Sequence, residues 1–557
     1  MTIRIRRIGA LLLAGTALAV LPQVALAAAA PAPSNGPTTD ERLRALEDEL
    51  ANVHAQLGDL KRSQSDQYGD VNRQFTGLVQ VKLDNGRPVF SSPDGNFTFA
   101  VRALAQLDWG YYSQGAGAAS LPAAFGPDLS SGANFRRVYL GVQGKAFGNF
   151  SYNVNFDFGG SGGTETPGHI QSVYLQYDGL APFAFRIGAY PAPASIEDGT
   201  SAGDTIFLER NAPSDLQRNI AGGDGRDSVS ILYLGDEIFG ALSYTGNKIG
   251  DGAKALAAAG ATAAPNYDEQ EAVVGRLSDR FWHDANTNIV LGVNGTYVIK
   301  PPDAVAHGGA TLSTTPGGTA LNSFTLSDPP ELTVDSNGTV LATTGSLPTN
   351  HITQWGVEAA GNFLNIYGQA GYYGIQVDRA PVAFTQFTAA ATSHTQVVQP
   401  SNNSFTGWYA QLSWFLTGEQ KPYSVATGSF TAPKILHPLG FGDDAGWGAF
   451  ELAGRYSDLD LNSHELDGTD IVTNWTGATT RTYNFYNTVR GGDQRILTAA
   501  LNWYPNSFVK FAFQYQYVQV SRLQSPAAVT TAGVPVLPTV NGGQNLSTIA
   551  LRAQLSL

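Results

Sequence analysis

The feature that most constrains this chain is a period of two that recurs almost to its end. Ser151-Tyr152-Asn153-Val154-Asn155-Phe156-Asp157-Phe158 alternates polar and apolar side chains without a fault. Val509, Phe511, Phe513, Tyr515 and Tyr517 share one face, with Lys510, Gln514 and Gln516 on the other. Leu551, Ala553, Leu555 and Leu557 end the chain opposite Arg552, Gln554 and Ser556. Such alternation describes strands with one apolar and one polar face. About sixteen segments fit, near 97–110, 135–147, 149–158, 170–178, 183–190, 227–234, 237–246, 269–279, 287–299, 352–361, 363–377, 405–416, 446–459, 493–504, 507–519 and 546–557. Their connections alternate long and short. Gly148-Asn149, Gly179 to Pro182, Gly235-Asp236, Gly361-Asn362 and Pro505-Asn506 read as tight turns, whereas another joint runs from about residue 300 to 351. A soluble sandwich has no reason to sort its loops by parity. A transmembrane antiparallel β-barrel of about sixteen strands does, with short turns on one rim and long loops on the other. The joint 417–445 departs from this rule, being long where a short turn belongs.

Composition narrows the function classes. Charged residues make up 14% of the chain and aromatic residues 11%, and the formal net charge is −13, which argues against a disordered chain and against a nucleic-acid binder. Cysteine is absent, so disulfides, Cys-ligated zinc and thiol catalysis are excluded. The eight His residues fall in the helix, in predicted loops and turns or at a strand edge, with no metal-ligand spacing and no local Ser-His-acid grouping. The reading is therefore of a protein that is not an enzyme, with no catalytic residues, no metal and no cofactor. Trp109, Tyr111 and Tyr112, Trp408 and Trp414, and Trp503 and Tyr504 cluster towards strand ends, as aromatic girdles at a lipid interface do.

The N-terminus reads as an export address. Arg4, Arg6 and Arg7 precede an apolar stretch from Ile8 to about Val20, and Ala25-Leu26-Ala27 is an A-x-A cleavage site, giving a signal peptide over 1–27. Residues 28–39 form an Ala/Pro/Ser/Thr linker. Over 40–67, Leu43, Leu46, Leu50, Val53, Leu57 and Leu60 step by 3, 4, 3, 4 and 3, the seam of a short coiled coil with Asp40 as N-cap. Three heptads associate weakly alone, so the helix reports an oligomer held together elsewhere or lies on its own domain. Residues 68–96 are a connector, and 97–557 the barrel.

Inward parity selects Arg102, Asp108, Arg137, Lys145, Asp157, Arg186, Glu358, Glu451, Arg455, Lys510 and Arg552 as pore-lining charges. Mixed signs suit a wet pore whose field acts on small charged solutes. The third long joint, 191–226, carries Glu197, Asp198, Asp204, Glu209, Arg210 and Arg218, among other charges. It either sits outside in water or folds inward as a constriction loop, and composition does not choose.

Several runs then resemble a known family. Phe135-Arg136-Arg137 with Leu140-Gly141-Val142, Ile170 to Leu175, and Arg186-Ile187-Gly188 through Phe207-Leu208-Glu209-Arg210-Asn211 are similar to the phosphate-selective porin O and P family. So are Gly407 to Leu412 with Leu416-Thr417-Gly418-Glu419, Glu451 to Tyr456, and Leu501-Asn502-Trp503-Tyr504. The resemblance implies a homotrimer of 16-stranded barrels whose third loop enters the lumen, and a short N-terminal coiled coil occurs in some members. Phosphate-specific members carry lysines flanking a Thr-Ser pair, where this chain has Asp198 and Gly203, and their arginine-dense fourth-loop region matches Lys300 to Gly318, which holds no Arg. The expectation is an outer-membrane porin for passive diffusion of small hydrophilic solutes and ions, weakly selective, with the helix in the periplasm. The alternatives are an anion- or phosphate-selective channel, and a structural barrel tethered to the cell wall through residues 40–67.

Overall fold

The computed structural model describes residues 38–557 except 77–78, 85–86, 116–127, 161–166, 251–267, 304–321, 336, 388–392, 441–445, 466–470, 477–479, 524–528 and 531–542. The signal peptide and most of the linker therefore lie outside the described residues. The chain divides into two units, residues 1–78 and 79–557.

The described part of the first unit is one helix, α1 (Thr39–Thr76). It outruns the expected 40–67 at both ends, continuing through the polar run after Leu60, and takes in the start of the expected connector. Its N-cap is Thr38 rather than Asp40: the Thr38 amide donates to Glu41 Oε2 at 2.9 Å, one half of a capping box. Asp40 and Glu41 sit in the first turn, where the helix dipole favours acids. Leu43, Leu46, Leu50, Val53, Leu57 and Leu60 are each at least half exposed, so the seam is uncovered among the described residues.

The second unit is an antiparallel barrel of sixteen strands. They are β1 (Thr98–Gln114), β2 (Gly132–Ala146), β3 (Phe150–Asp157), β4 (His169–Leu180), β5 (Phe183–Ala189), β6 (Arg226–Leu234), β7 (Ile238–Lys248) and β8 (Glu271–His283). Then follow β9 (Thr287–Lys300), β10 (Ala342–Phe363), β11 (Ile366–Arg379), β12 (Asn403–Phe415), β13 (Ala449–Ser463), β14 (Val489–Asn506), β15 (Val509–Ser521) and β16 (Asn545–Ser556). Each pairs with the next, and β16 closes on β1 from Leu546↔Gln114 to Ser556↔Leu104. Before β1, the expected connector also contains a hairpin, Gln80–Asp84 with Arg87–Ser91, whose second arm pairs with the start of β1. Gly361-Asn362 and Pro505-Asn506 prove to be ladder residues, with the turns at 364–365 and 507–508. There Phe363↔Ile366 and Asn506↔Val509 close the hairpins.

Alternation sorts the wall as the period of two requires. Trp408, Leu412, Trp414, Phe511, Phe513, Tyr515 and Leu551 point outward and are exposed, while Gln514, Gln516, Asn502 and Gln354 point inward and are buried. The inward side chains are buried because three segments fill the lumen. From the long-loop rim comes the third long loop, 190–225, with two helices, α2 (Ile196–Gly199) and α3 (Ala212–Ala221). From the same rim comes the segment 329–341 of the fifth long loop. From the opposite rim comes the β12–β13 connection, the joint whose length broke the parity rule.

Local chemistry shapes these inserts. The Asn211 side chain caps α3 by accepting from the Ser214 amide at 2.9 Å, and Pro213 stands in its first turn. Leu216 and Ile220 on α3 pack against Ala272 and Val274 of β8, Ile375 and Val377 of β11, Phe405 of β12 and Leu459 of β13. Each such side chain contributes about 1.5–3 kcal/mol on burial. A Cβ at Gly407 would meet Pro213 Cβ at 2.9 Å, so only glycine there lets α3 lie this close to the wall. Leu332, Val334 and Leu341 pack on β14, β15, β16 and β1.

Ion pairs hold the third loop in place. Arg136 Nε donates to Glu209 Oε1 at 2.7 Å, and Arg137 and Arg552 donate to the same carboxylate at 3.1 and 3.3 Å. Burial pushes the Glu209 carboxyl up, but the three guanidiniums outweigh it and hold it well below the ordinary carboxylate range. The carboxylate's contribution is thus complete above the unfolded value near pH 4.5 and lost only as pH falls through the lowered one. Mild acid at pH 5 should leave the loop seated. Glu209→Gln removes the carboxylate that Arg136, Arg137 and Arg552 share, at a cost of about 3 kcal/mol, and should give a noisier channel of altered conductance in planar bilayers. Deleting α1 should leave a barrel that still shifts on heating in a semi-native gel, because closure uses only β1 and β16.

Candidate functional site: a lumenal passage

The inserts do not fill the lumen evenly. α3 seals the sector of wall formed by β8–β14 with apolar contacts. The sector formed by β1–β7 keeps two neighbouring spaces. One, of about 230 Å³, lies towards the short-turn rim, and Arg102, Tyr139, Arg186, Asp198, Arg210 and Thr427 are among its lining. The other, of about 510 Å³, lies towards the long-loop rim, and Arg136, Arg137, Asp215, Arg226 and Lys248 are among its lining. Arg210, Arg218 and Asp224 line both and form the partition between them.

The partition is built by local structure. Ser195 caps α2 by accepting from the Asp198 amide at 3.1 Å, which fixes the Asp198 carboxylate against Arg218. Arg218, in the last turn of α3, also donates to Asp224 at 2.6 Å. Burial disfavours the Arg218 charge, yet Asp224, Asp198 and Asp215 outweigh it and keep the guanidinium firmly protonated. Burial likewise raises Asp224, but Arg218 and Arg210 overcome it and hold the carboxylate ionised.

The remaining cations of the inner chamber form no ion pair among the described residues, although Arg210 is near enough to Asp224 to help hold it ionised. Arg210 donates only to the Glu197 and Thr200 carbonyls, at 3.4 and 3.2 Å. Arg102 donates to Asn153 at 3.3 Å. Arg186 donates to Gln176 at 2.8 Å, with its guanidinium 4.4 Å from the Tyr174 ring centre and 5.3 Å from that of Tyr190. Among the described residues none of these three has an ion-pair partner. The chamber wall thus presents the guanidiniums of Arg102, Arg186, Arg210 and Arg218 against the carboxylates of Asp198 and Asp224.

The charges selected by parity take up different tasks. Arg102 and Arg186 line the inner chamber and Arg137 the outer. Lys145 is exposed at the short-turn rim, beyond the narrow part. The other inward charges are buried, most of them against the inserts and Asp157 against backbone amides of its own sector of wall. Asp108 pairs with Arg552 at 2.6 Å, and Arg552 also donates to the Leu208 carbonyl at 2.6 Å. Glu358 accepts from Arg276 at 2.7 Å and from the Ile196 amide at 2.8 Å. Glu451 accepts from Asn502 and Tyr504, and Lys510 donates to the Thr205 carbonyl at 2.6 Å. Arg455 pairs with Glu331, and Asp157 accepts from the Val138 and Gly159 amides. In the third loop, Glu197 is buried and accepts from Gln369 at 2.8 Å, outside the chamber lining. Asp204 is half-buried against the β12–β13 connection, where Lys421 donates to its backbone carbonyl at 2.8 Å, and desolvation pushes its carboxyl up.

Parity missed four anchoring groups. Arg136 joins Arg137 on the inner face because a bulge opposite Gln106/Leu107 turns both inward. The adjacent pair was itself the signal, since a regular strand would aim one arginine at lipid. Glu331, Arg276 and Lys421 carried no such signal. Glu331 accepts from Arg455, from the Ser457 hydroxyl and from the Ala212 amide that starts α3.

Residues 126–535 match the model of the family described as phosphate-selective porin O and P. The chain is 21% identical over 463 residues to Porin O of Pseudomonas aeruginosa, covering 80% of this chain and 88% of that protein. It is 24% identical over 438 residues to an uncharacterised protein of Caulobacter vibrioides, covering 77% and 70%. Among solved structures, the anion-selective porin from Comamonas acidovorans aligns at TM-score 0.43 and 10% identity, covering 83% of this chain and 100% of that one. With the family model spanning most of the closed barrel, this chain belongs to the phosphate-selective porin O and P family and is an outer-membrane porin.

Proposed function

We propose that small hydrophilic solutes and ions diffuse passively through the β1–β7 side of the lumen, and that the partition favours anions modestly. The observation that carries this reading is the surplus of guanidiniums at the inner chamber. Along the sequence, Glu197, Asp198 and Asp204 nearly balance the nearby bases. In the fold Glu197 turns away, burial works against the Asp204 charge, and Asp198 is tied to Arg218. The passage therefore carries more positive charge than the chain as a whole. The proposal assigns no reaction to the protein.

The arrangement in the membrane follows as part of the proposal. The short-turn rim and both termini face the periplasm, the long loops face outward, and α1 stands in the periplasm. Its exposed leucine seam supports pairing with α1 of other copies in a homotrimer. Wall-to-wall barrel contacts would then carry most of the assembly, and the cell wall is a further partner open to α1.

In planar bilayers with a salt gradient, the zero-current potential should have the sign of an anion-preferring pore. A unit charge about 7 Å from an ion contributes roughly 2 kcal/mol at an effective dielectric of ~20, before screening. Arg210→Gln or Arg186→Gln should therefore move the potential clearly towards zero, and Gly203→Lys, placing a cation beside Arg102, should move it the other way. A wild-type potential of cation-preferring sign would overturn the selectivity reading. Absence of conductance steps would favour the tethered structural barrel instead.

A further inference from the structure

The inner chamber is not polar all round. Its β1–β5 sector presents Arg102, Tyr139 and Arg186. Behind the adjoining β6–β7 sector, Leu232 and Phe239 are buried in an apolar cluster with Ala184 and Ala241, so they back the lining rather than face the space. Pro191 and Pro193 of the third loop and Ala426 of the β12–β13 connection supply the apolar side of the lining. Pro191 and Pro193 are half-buried and Ala426 is exposed, so their carbon surface faces the space rather than the packing behind it.

A chamber built only to pass hydrated inorganic anions has no use for that surface. Water and a fully hydrated ion gain nothing against carbon, whereas a solute that carries its own apolar body loses unfavourable water contact there. Pockets that retain organic ligands combine apolar lining with a few placed charges, and this chamber holds both at a volume of about 230 Å³. We infer that the inner chamber is a binding subsite for small organic anions, carboxylates with a short hydrocarbon body. The carboxylate lies among Arg102, Arg186 and Arg210, and the body against Pro191, Pro193 and Ala426. The inference rests on the anion-favouring passage proposed above and names the class of anion it retains.

The test is block of chloride current through the full-length porin by sodium acetate, butyrate and hexanoate, with inorganic phosphate alongside. These carboxylates share one charge and differ only in hydrocarbon length. The blocking concentration should fall roughly two- to fourfold for each added methylene that the apolar side receives, and hexanoate should block better than phosphate. Arg186→Gln should weaken block by acetate and hexanoate alike and preserve the dependence on length, whereas Ala426→Asn, which replaces exposed carbon by an amide, should flatten it. A series independent of chain length, or phosphate blocking better than hexanoate, overturns the inference. The zero-current potential, measured on the same bilayers, reports separately on the anion preference. An anion-preferring potential with a flat series rejects the subsite alone, and a cation-preferring one rejects the reading beneath it.

Discussion

A backbone amide inside a hydrocarbon layer must find its partner within the protein, since no water is there to take its place. Everything else in this structure follows from that requirement. It forces the sixteen strands to close, β16 on β1, and leaves no edge in lipid. Closure in turn divides every strand into a face that meets lipid and a face that meets the lumen. The outer face carries Trp408, Phe513 and Leu551, and the inner face carries the glutamines, asparagines and charges that the inserted segments then use.

The inserts solve a second problem of the same kind. Backbone that enters the lumen brings amides and carbonyls with it, and wall side chains satisfy them: Glu358 accepts from the Ile196 amide, Glu331 from Ala212, and Lys510 donates to Thr205. Buried charges are costly without partners, and the Glu209–Arg136–Arg137–Arg552 group provides them by joining loop to wall. The lumen is thereby divided by chemistry. Where α3 is apolar it adheres to β8–β14, and where the third loop is charged it is tied to β2 through Glu209 and leaves the two spaces beside β1–β7.

That division explains why counting charges along the chain misjudges the passage. Net charge is −13 overall, yet in the third loop Glu197 and Glu209 are turned towards wall groups and Asp198 and Asp224 towards Arg218. Among the described residues Arg102, Arg186 and Arg210 donate only to neutral acceptors, which supports the anion preference proposed for the passage. The electrostatics of the path belong to the few groups left uncompensated at the partition.

The amino-acid sequence by itself determined the barrel, because alternation and loop parity are local consequences of strand geometry and need no knowledge of distant contacts. It located all sixteen strands to within a few residues except β10, whose far end runs on past the membrane-sized segment. It also marked the third loop as charged and the 417–445 joint as anomalous. What it left undecided was which inward charges meet solute, since parity reports a side chain's face and not what stands in front of it. Arg455 and Arg186 have the same parity signature, yet one is sealed beneath Glu331 and the other lines the chamber. Only the tertiary structure settles that difference, because the segments that cover one residue and spare the other arrive from loops more than a hundred positions away.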